Sequence, residues 1–137
     1  MPVITKEEFE SIELFREERY KRVLHLLGER SVRMLESGEV LMSPHSRNAT
    51  VDVLLSGRLG IHLTKSSRPI AQVSIGECVG EMSFLDDETP SAFVVARDKS
   101  RVLELDRGRL FEIVSQCSYV ARNLLVTLSR RMRDNNT

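Results

Sequence analysis

The apolar positions change period twice along the chain. From Thr5 to Leu27 they recur at steps of three and four, through Ile12, Phe15, Tyr20, Val23, Leu24 and Leu27. This is the spacing of a helix that buries one face. It predicts one or two helices, with a break near Glu17-Glu18. Thr5 followed by Glu8 fits a capping box, and Gly28 is placed to end the segment as a C-terminal cap. From about Ser31 to Leu105 the texture is that of short strands. Val51, Val53 and Leu55 alternate with their neighbours, and so do Leu59, Ile61 and Leu63, the period of half-buried strands. Ser56-Gly57 between the two runs reads as a hairpin turn. Lys65–Pro69 and Asp98-Lys99-Ser100 read as further turns, the latter joining Phe93–Ala96 to Val102–Leu105. From Asp106 onward the helical period returns. Asp106 is placed to cap a short helix carrying Leu110, Phe111 and Val114, and Ser118 to cap a second. In that second helix Ala121, Leu124, Leu125, Leu128 and Met132 form a narrow apolar stripe. The order is helix, a run of short strands, then two helices. It predicts a mainly β chain with flanking helices, built as a sandwich or jelly roll.

Composition narrows the class. At 137 residues and 41% hydrophobic content the chain is the size of one domain with a real core. Its expected parts are a helical segment over 1–30, a roll over 31–105 and closing helices over 106–137. Lys plus Arg and Asp plus Glu are 20 each, so the formal net charge is zero. The strongly basic balance of a dedicated nucleic-acid binder is missing. No apolar run reaches the roughly 18–20 residues of a membrane span. The start, Met1 to Glu8, is acidic and lacks the basic-then-apolar pattern of a signal peptide. We therefore expect a soluble, cytoplasmic protein in which Cys78 and Cys117 are free thiols.

Catalytic and metal chemistry find no foothold. His25, His45 and His62 are scattered, with no His-x-His pair. His62 falls opposite Leu59, Ile61 and Leu63 and reads as a surface or pocket-wall residue. Two cysteines are too few for a four-thiolate metal or iron–sulfur site. There is no Gly-x-Ser-x-Gly elbow, phosphate loop or dinucleotide fingerprint. We expect no catalytic residues, no metal and no enzyme activity.

Four fragments, in order, carry a resemblance. They are Glu36-Ser37-Gly38-Glu39-Val40-Leu41, Leu54-Leu55-Ser56-Gly57-Arg58-Leu59, the run from Ile75 to Leu85, and the span from Asp106 to Arg133. Together they resemble cyclic nucleotide-binding domains of the catabolite activator branch, over roughly residues 20–137. The resemblance implies an eight-stranded jelly-roll barrel with helices outside and a ligand pocket within. It implies cyclic AMP or cyclic GMP as ligand, with no other cofactor. It also implies a homodimer through the last helix, residues 119–133. In that branch a DNA-binding helix-turn-helix follows. The chain stops at Thr137, so we expect no direct DNA contact by that route.

The same resemblance assigns the ligand-binding residues. Gly80 opens the turn of the phosphate-binding cassette, Glu81 matches the carboxylate that accepts the ribose hydroxyl, and Met82 and Ser83 supply early helix amides. Ser91 and Ala92 match the small pair that closes around the phosphate. Asn135 and Asn136 fall near the base-reading positions. The departure is Pro90, where the family usually has an arginine facing the phosphate. Proline has neither charge nor N–H. Five acidic residues and no basic one lie between Gly76 and Pro90, so the local field opposes an anion, unless Arg58 or Arg97 swings in. The expected function is a small-ligand-sensing regulatory module with a degenerate cassette. The alternative is a ligand-free scaffold or partner-binding module that kept the fold. The last helix also carries Arg122, Arg130, Arg131 and Arg133, read as its solvated side.

Overall fold

The computed structural model describes residues 2–135. The chain opens with α1 (Lys6–Ser11), a 3-10 turn (Glu13–Phe15) and α2 (Tyr20–Leu26). Thr5 and Glu8 form the expected capping box, with the Thr5 hydroxyl accepting from the Glu8 amide and the Glu8 carboxylate from the Thr5 amide. The helical period breaks where expected, at Glu17, whose φ is 73°. Gly28 does not cap α2; the cap residue is Leu27, in extended conformation.

Eight strands follow: β1 (Val32–Leu35), β2 (Val40–Met42), β3 (Thr50–Ser56), β4 (Leu59–His62), β5 (Ala71–Val73), β6 (Cys78–Val79), β7 (Phe93–Ala96) and β8 (Ser100–Asp106). A short helix, α3 (Glu81–Asp86), interrupts them, and α4 (Arg107–Gln116) and α5 (Ser118–Asn135) close the chain. The strands form two antiparallel four-stranded sheets, ordered β1-β8-β3-β6 and β2-β7-β4-β5. This is the jelly-roll arrangement the sequence predicts, but the sheets stay open rather than closing into a barrel. The Ser56-Gly57 turn is not a hairpin between paired strands. It carries the chain from one sheet to the other, since β3 pairs with β8 and β6, and β4 with β5 and β7. Among the described residues, only the Lys65–Pro69 turn joins consecutive strands that pair with each other.

Two apolar cores explain the layers. One packs the first sheet against the helices: Val51, Val53, Leu103 and Leu105 meet Phe9, Phe15, Leu110, Ile113 and Val120. The other fills the space between the sheets with Leu35, Leu54, Leu59, Val94 and Val102. β3 is therefore buried on both faces, unlike the half-buried strand its alternation suggests. Its odd residues face the helices, and Asp52 and Leu54 face inward. Leu63 lies beyond the end of β4 and is exposed. In α4 the buried residues are Leu110 and Ile113, while Phe111 is exposed.

The helix ends are held from different places. Asp106 caps α4 as expected, accepting from the Arg109 amide at 2.8 Å. Ser118 is the first residue of α5 rather than its cap, and the Glu18 carboxylate accepts from the Tyr119 amide at 2.9 Å. The N-terminal segment grips both the turn before β6 and α5. Glu13 donates its amide to the Gly76 carbonyl at 3.0 Å, and the Asn123 side chain donates to the carbonyls of Leu14 and Arg16. Gly76 has φ +91°, and a Cβ there would overlap the backbone of Ser11. Only glycine permits that approach. No described helix is long and apolar enough to cross a membrane.

Candidate functional site

β6 runs into Gly80, whose φ of 87° turns the chain into α3. Glycine is required twice over. The conformation is left-handed, and a Cβ would lie 2.5 Å from both Asn48 Nδ2 and Met42 Cε. The Asn48 amide holds this turn in place, donating to the Gly80 carbonyl at 2.8 Å and to the Thr50 carbonyl at 2.6 Å. Phe84 anchors the other side of α3 in the helix-facing core. The Arg107 guanidinium stacks over its ring at 4.7 Å and donates to its carbonyl.

All six predicted residues, Gly80, Glu81, Met82, Ser83, Ser91 and Ala92, line one cavity of about 660 Å³ beside α3, and Pro90 lines it with them. That volume falls within the range of small-molecule sites. Residues from both ends of the 80–92 segment line the cavity, and its apolar walls include Ile61, Val73, Val79 and Val94. Neither Arg58 nor Arg97 lines it. Arg58 is held on the surface by Asp98 at 2.6 Å.

The cation that does reach the cavity is Arg131 of α5. Its Nη1 lies 2.6 Å from Glu81 Oε1, and its Nη2 donates to the Cys78 carbonyl at 2.7 Å. The Glu81 side chain is 1% exposed and that of Arg131 30%. The Nη1–Oε1 approach is an ion pair without hydrogen-bond alignment, which leaves Oε1 without a hydrogen bond. Burial pushes the Glu81 carboxyl above its ordinary value, and Arg131 offsets only part of this. The neighbouring Cys78 thiol, 3.8 Å from Glu81 Oε2, is pushed up to about 12 by burial and the Glu81 charge. It is a packed, protonated thiol. Glu77, Asp86 and Asp134 also line the cavity, so carboxylates outnumber its one guanidinium among the described lining residues.

Sequence reasoning misses Arg131 and Asn48. By its polarity Arg131 reads as part of a solvated face. Yet it continues the row Leu124, Leu128, Arg131 at helical spacing, and Leu124 is buried against the roll. The apolar stripe also divides. Leu124 faces this chain's own core with Leu128 packed against it, whereas Leu125, Val126 and Met132 are exposed at 67%, 53% and 54%. Asn136 lies outside the described residues, and Asn135 is the last residue of α5.

Residues 32–117, well over half the chain, match the family model described as the cyclic nucleotide-binding domain. The chain belongs to the cyclic nucleotide-binding domain family. It is 30% identical over 105 residues to the cyclic AMP receptor protein of Thermus thermophilus, covering 74% of this chain and 49% of that protein. It thus spans about half the length of that curated relative. The crystal structure of the Thermus thermophilus catabolite activator protein superposes with a TM-score of 0.77 at 25% identity, over 90% of this chain and 60% of that one. The N-terminal domain of a transcriptional regulator from Streptomyces coelicolor A3(2) shares the fold, with a TM-score of 0.72 and 24% identity over 96% and 94% of the two chains. These relatives are named as regulators and receptors rather than enzymes.

This cyclic nucleotide-binding domain has no described group of three or more His, Cys, Asp or Glu side chains that could hold a metal. His62 is buried rather than on the surface or the pocket wall. Its Nδ1 lies 2.8 Å from the Ser67 carbonyl under the β4–β5 hairpin. Cys78 and Cys117 are both buried free thiols.

Proposed function

We propose that this chain is a regulatory module that takes a cyclic nucleotide, cyclic AMP or cyclic GMP, into the cavity beside α3. In this reading the Met82 and Ser83 amides and the Ser91 hydroxyl meet the phosphate. Gly80 lets the backbone approach it, and Ala92 leaves room for it. Glu81 accepts the ribose hydroxyl. Arg131 is the observation that carries the proposal. It brings a guanidinium to a cavity whose closing segment has Pro90 where the family has arginine. Because Arg131 belongs to α5, a phosphate that draws on it also pulls on the last helix. We further propose that α5 pairs with a second copy over residues 119–133, through the exposed Leu125, Val126 and Met132.

Arg131 replaces the missing arginine only in part, because it is already paired with Glu81. Losing one charge-assisted contact costs about 1.5–3 kcal/mol, or roughly 10–100-fold in affinity. Calorimetric titration with cyclic AMP and cyclic GMP up to millimolar ligand tests the reading. Weak binding is expected, strengthened about 10–100-fold by Pro90→Arg. No heat and no ligand-induced rise in melting temperature, in either form, would sink it.

One observation favours a second reading. Among the described lining residues, Glu77, Glu81, Asp86 and Asp134 face the cavity against the single guanidinium of Arg131. A module that keeps the fold to bind a protein partner, with no nucleotide, has no need of a field that attracts an anion. Silence of Pro90→Arg in the titration supports this reading.

A further inference from the structure

We propose that Asp52 carries a proton directed at Glu104 across the β3–β8 ladder, forming a pH-sensitive fastening beneath the strand end that holds the Gly80 turn. Asp52 lies on the inner face of β3, between Val51 and Val53 of the helix-facing core, and is fully buried. Its Oδ2 accepts from the Thr50 hydroxyl at 3.0 Å, and its Oδ1 has no hydrogen-bond partner. Glu104 of β8 stands directly opposite in the ladder. A buried carboxylate facing a second carboxylate is costly unless a partner or a proton compensates it.

The compensation from neighbouring residues is insufficient. Arg33 of β1 lies 3.5 Å from Glu104 but only 2.7 Å from Glu39, which takes the closer nitrogen. One guanidinium therefore serves three carboxyls. Glu104 and Arg33 are the charged groups that act on Asp52, and Glu39 reaches it through Arg33. On the other side of Asp52 the ladder offers Val79 of β6, which is apolar. A proton on Asp52 Oδ1 resolves both problems. It gives the orphaned oxygen a bond to donate to Glu104 and removes one of two facing charges.

Burial and the Glu104 charge push the Asp52 carboxyl well above its usual range, and Thr50 and Arg33 counter only part of this. The folded chain thus keeps a proton that the unfolded chain has lost. Stability from this pair is fully present below the unfolded value of 3.8 and is lost as pH rises through the folded one. Once Asp52 gives up its proton, it faces Glu104, whose side chain is 24% exposed. Two facing carboxylates then repel across β3 and β8. Asp52 holds Thr50 through its hydroxyl. Thr50 exchanges two bonds with Asn48, whose amide holds Gly80. The strain of deprotonation therefore reaches the cassette.

The test uses the ligand-free chain, so its failure leaves the ligand reading untouched. The Asp52 side-chain carbon and the Gly80 amide are followed by NMR from pH 4 to 9. Both are expected to move together, at a midpoint well above the ordinary aspartate range. Asp52→Asn, whose amide donates permanently to Glu104, should remove the part of the Gly80 shift that tracks Asp52, leaving only the response to the adjacent Glu81 carboxyl, which Glu81→Gln removes separately. Glu104→Gln serves as a second variant and should move the Asp52 midpoint down. An Asp52 carbon titrating in the ordinary range, or a Gly80 titration in Glu81→Gln that is unchanged by adding Asp52→Asn, overturns the proposal.

Discussion

Replacing Arg131 with glutamine removes the guanidinium that faces Glu81 and the donor to the Cys78 carbonyl. Glu81 cannot escape to solvent, because its side chain is 1% exposed. It has two responses. It can stay charged and unpaired, which costs about 3–5 kcal/mol for a buried pair. Or it can take up a proton. At about 1.4 kcal/mol per pH unit, protonating a carboxyl of ordinary value 4.5 at pH 7 costs about 3 kcal/mol, and less because burial already favours the protonated form. The cheaper route sets the ceiling, and water around the part-exposed Arg131 lowers it further. The lost hydrogen bond adds about 1 kcal/mol. We expect a loss of about 2–4 kcal/mol at pH 7, shrinking to about 1–2 kcal/mol at pH 5. The sign follows from linkage. Without Arg131 the folded carboxyl rises further above its unfolded value, so the variant loses stability as pH climbs through that window. Urea unfolding of both forms at pH 5, 7 and 8 measures this. A loss that does not grow with pH would refute the reasoning, as would one under about 0.5 kcal/mol at pH 8.

Gly80→Ala should destabilise by about 2 kcal/mol or more, since it forces a left-handed alanine and a Cβ against Asn48 and Met42. Chemical denaturation checks this, and nucleotide titration should show binding lost with it. Leu125→Glu should leave circular dichroism unchanged, because the side chain is 67% exposed. If α5 is a dimer seam, light scattering should show the variant as monomer where the parent is dimer. Burial alone would raise the Glu8 carboxyl, but Arg101 and the Thr5 amide outweigh it and hold the group below its ordinary value. Its contribution is present above pH 4.5 and lost as pH falls through the folded value. Arg101→Met should therefore narrow the gap in stability between pH 6 and pH 3, read by thermal unfolding at each pH.

Much of the architecture is legible from the chain alone, because its causes are local. The change from a three-and-four period to alternation, and back, marks where helices give way to strands. Thr5 with Glu8, and Asp106 with the Arg109 amide, are contacts within one turn, so spacing alone predicts them. The 80–92 segment is also local enough that its six candidate residues reach one cavity.

What stays illegible depends on which distant segments meet. Arg131 is fifty positions from Glu81, and no local rule says that the end of α5 folds back onto β6. Asn48 sits in an irregular stretch before β3, and only the folded chain brings it to Gly80. The two-faced burial of β3 decided the rest. Alternation shows which residues share a face, but not whether the other face meets water or a second sheet. With the second sheet in place, Asp52 became a buried acid opposite Glu104, where a half-buried strand would have left it in solvent. The sequence by itself determined the order of helices and strands through short-range periodicity and capping, and its resemblance to cyclic nucleotide-binding domains pointed to the jelly roll and the region of the site. The tertiary structure alone decided the charge of the site and the state of its buried acids, because those depend on the partners and the dielectric that packing brings together.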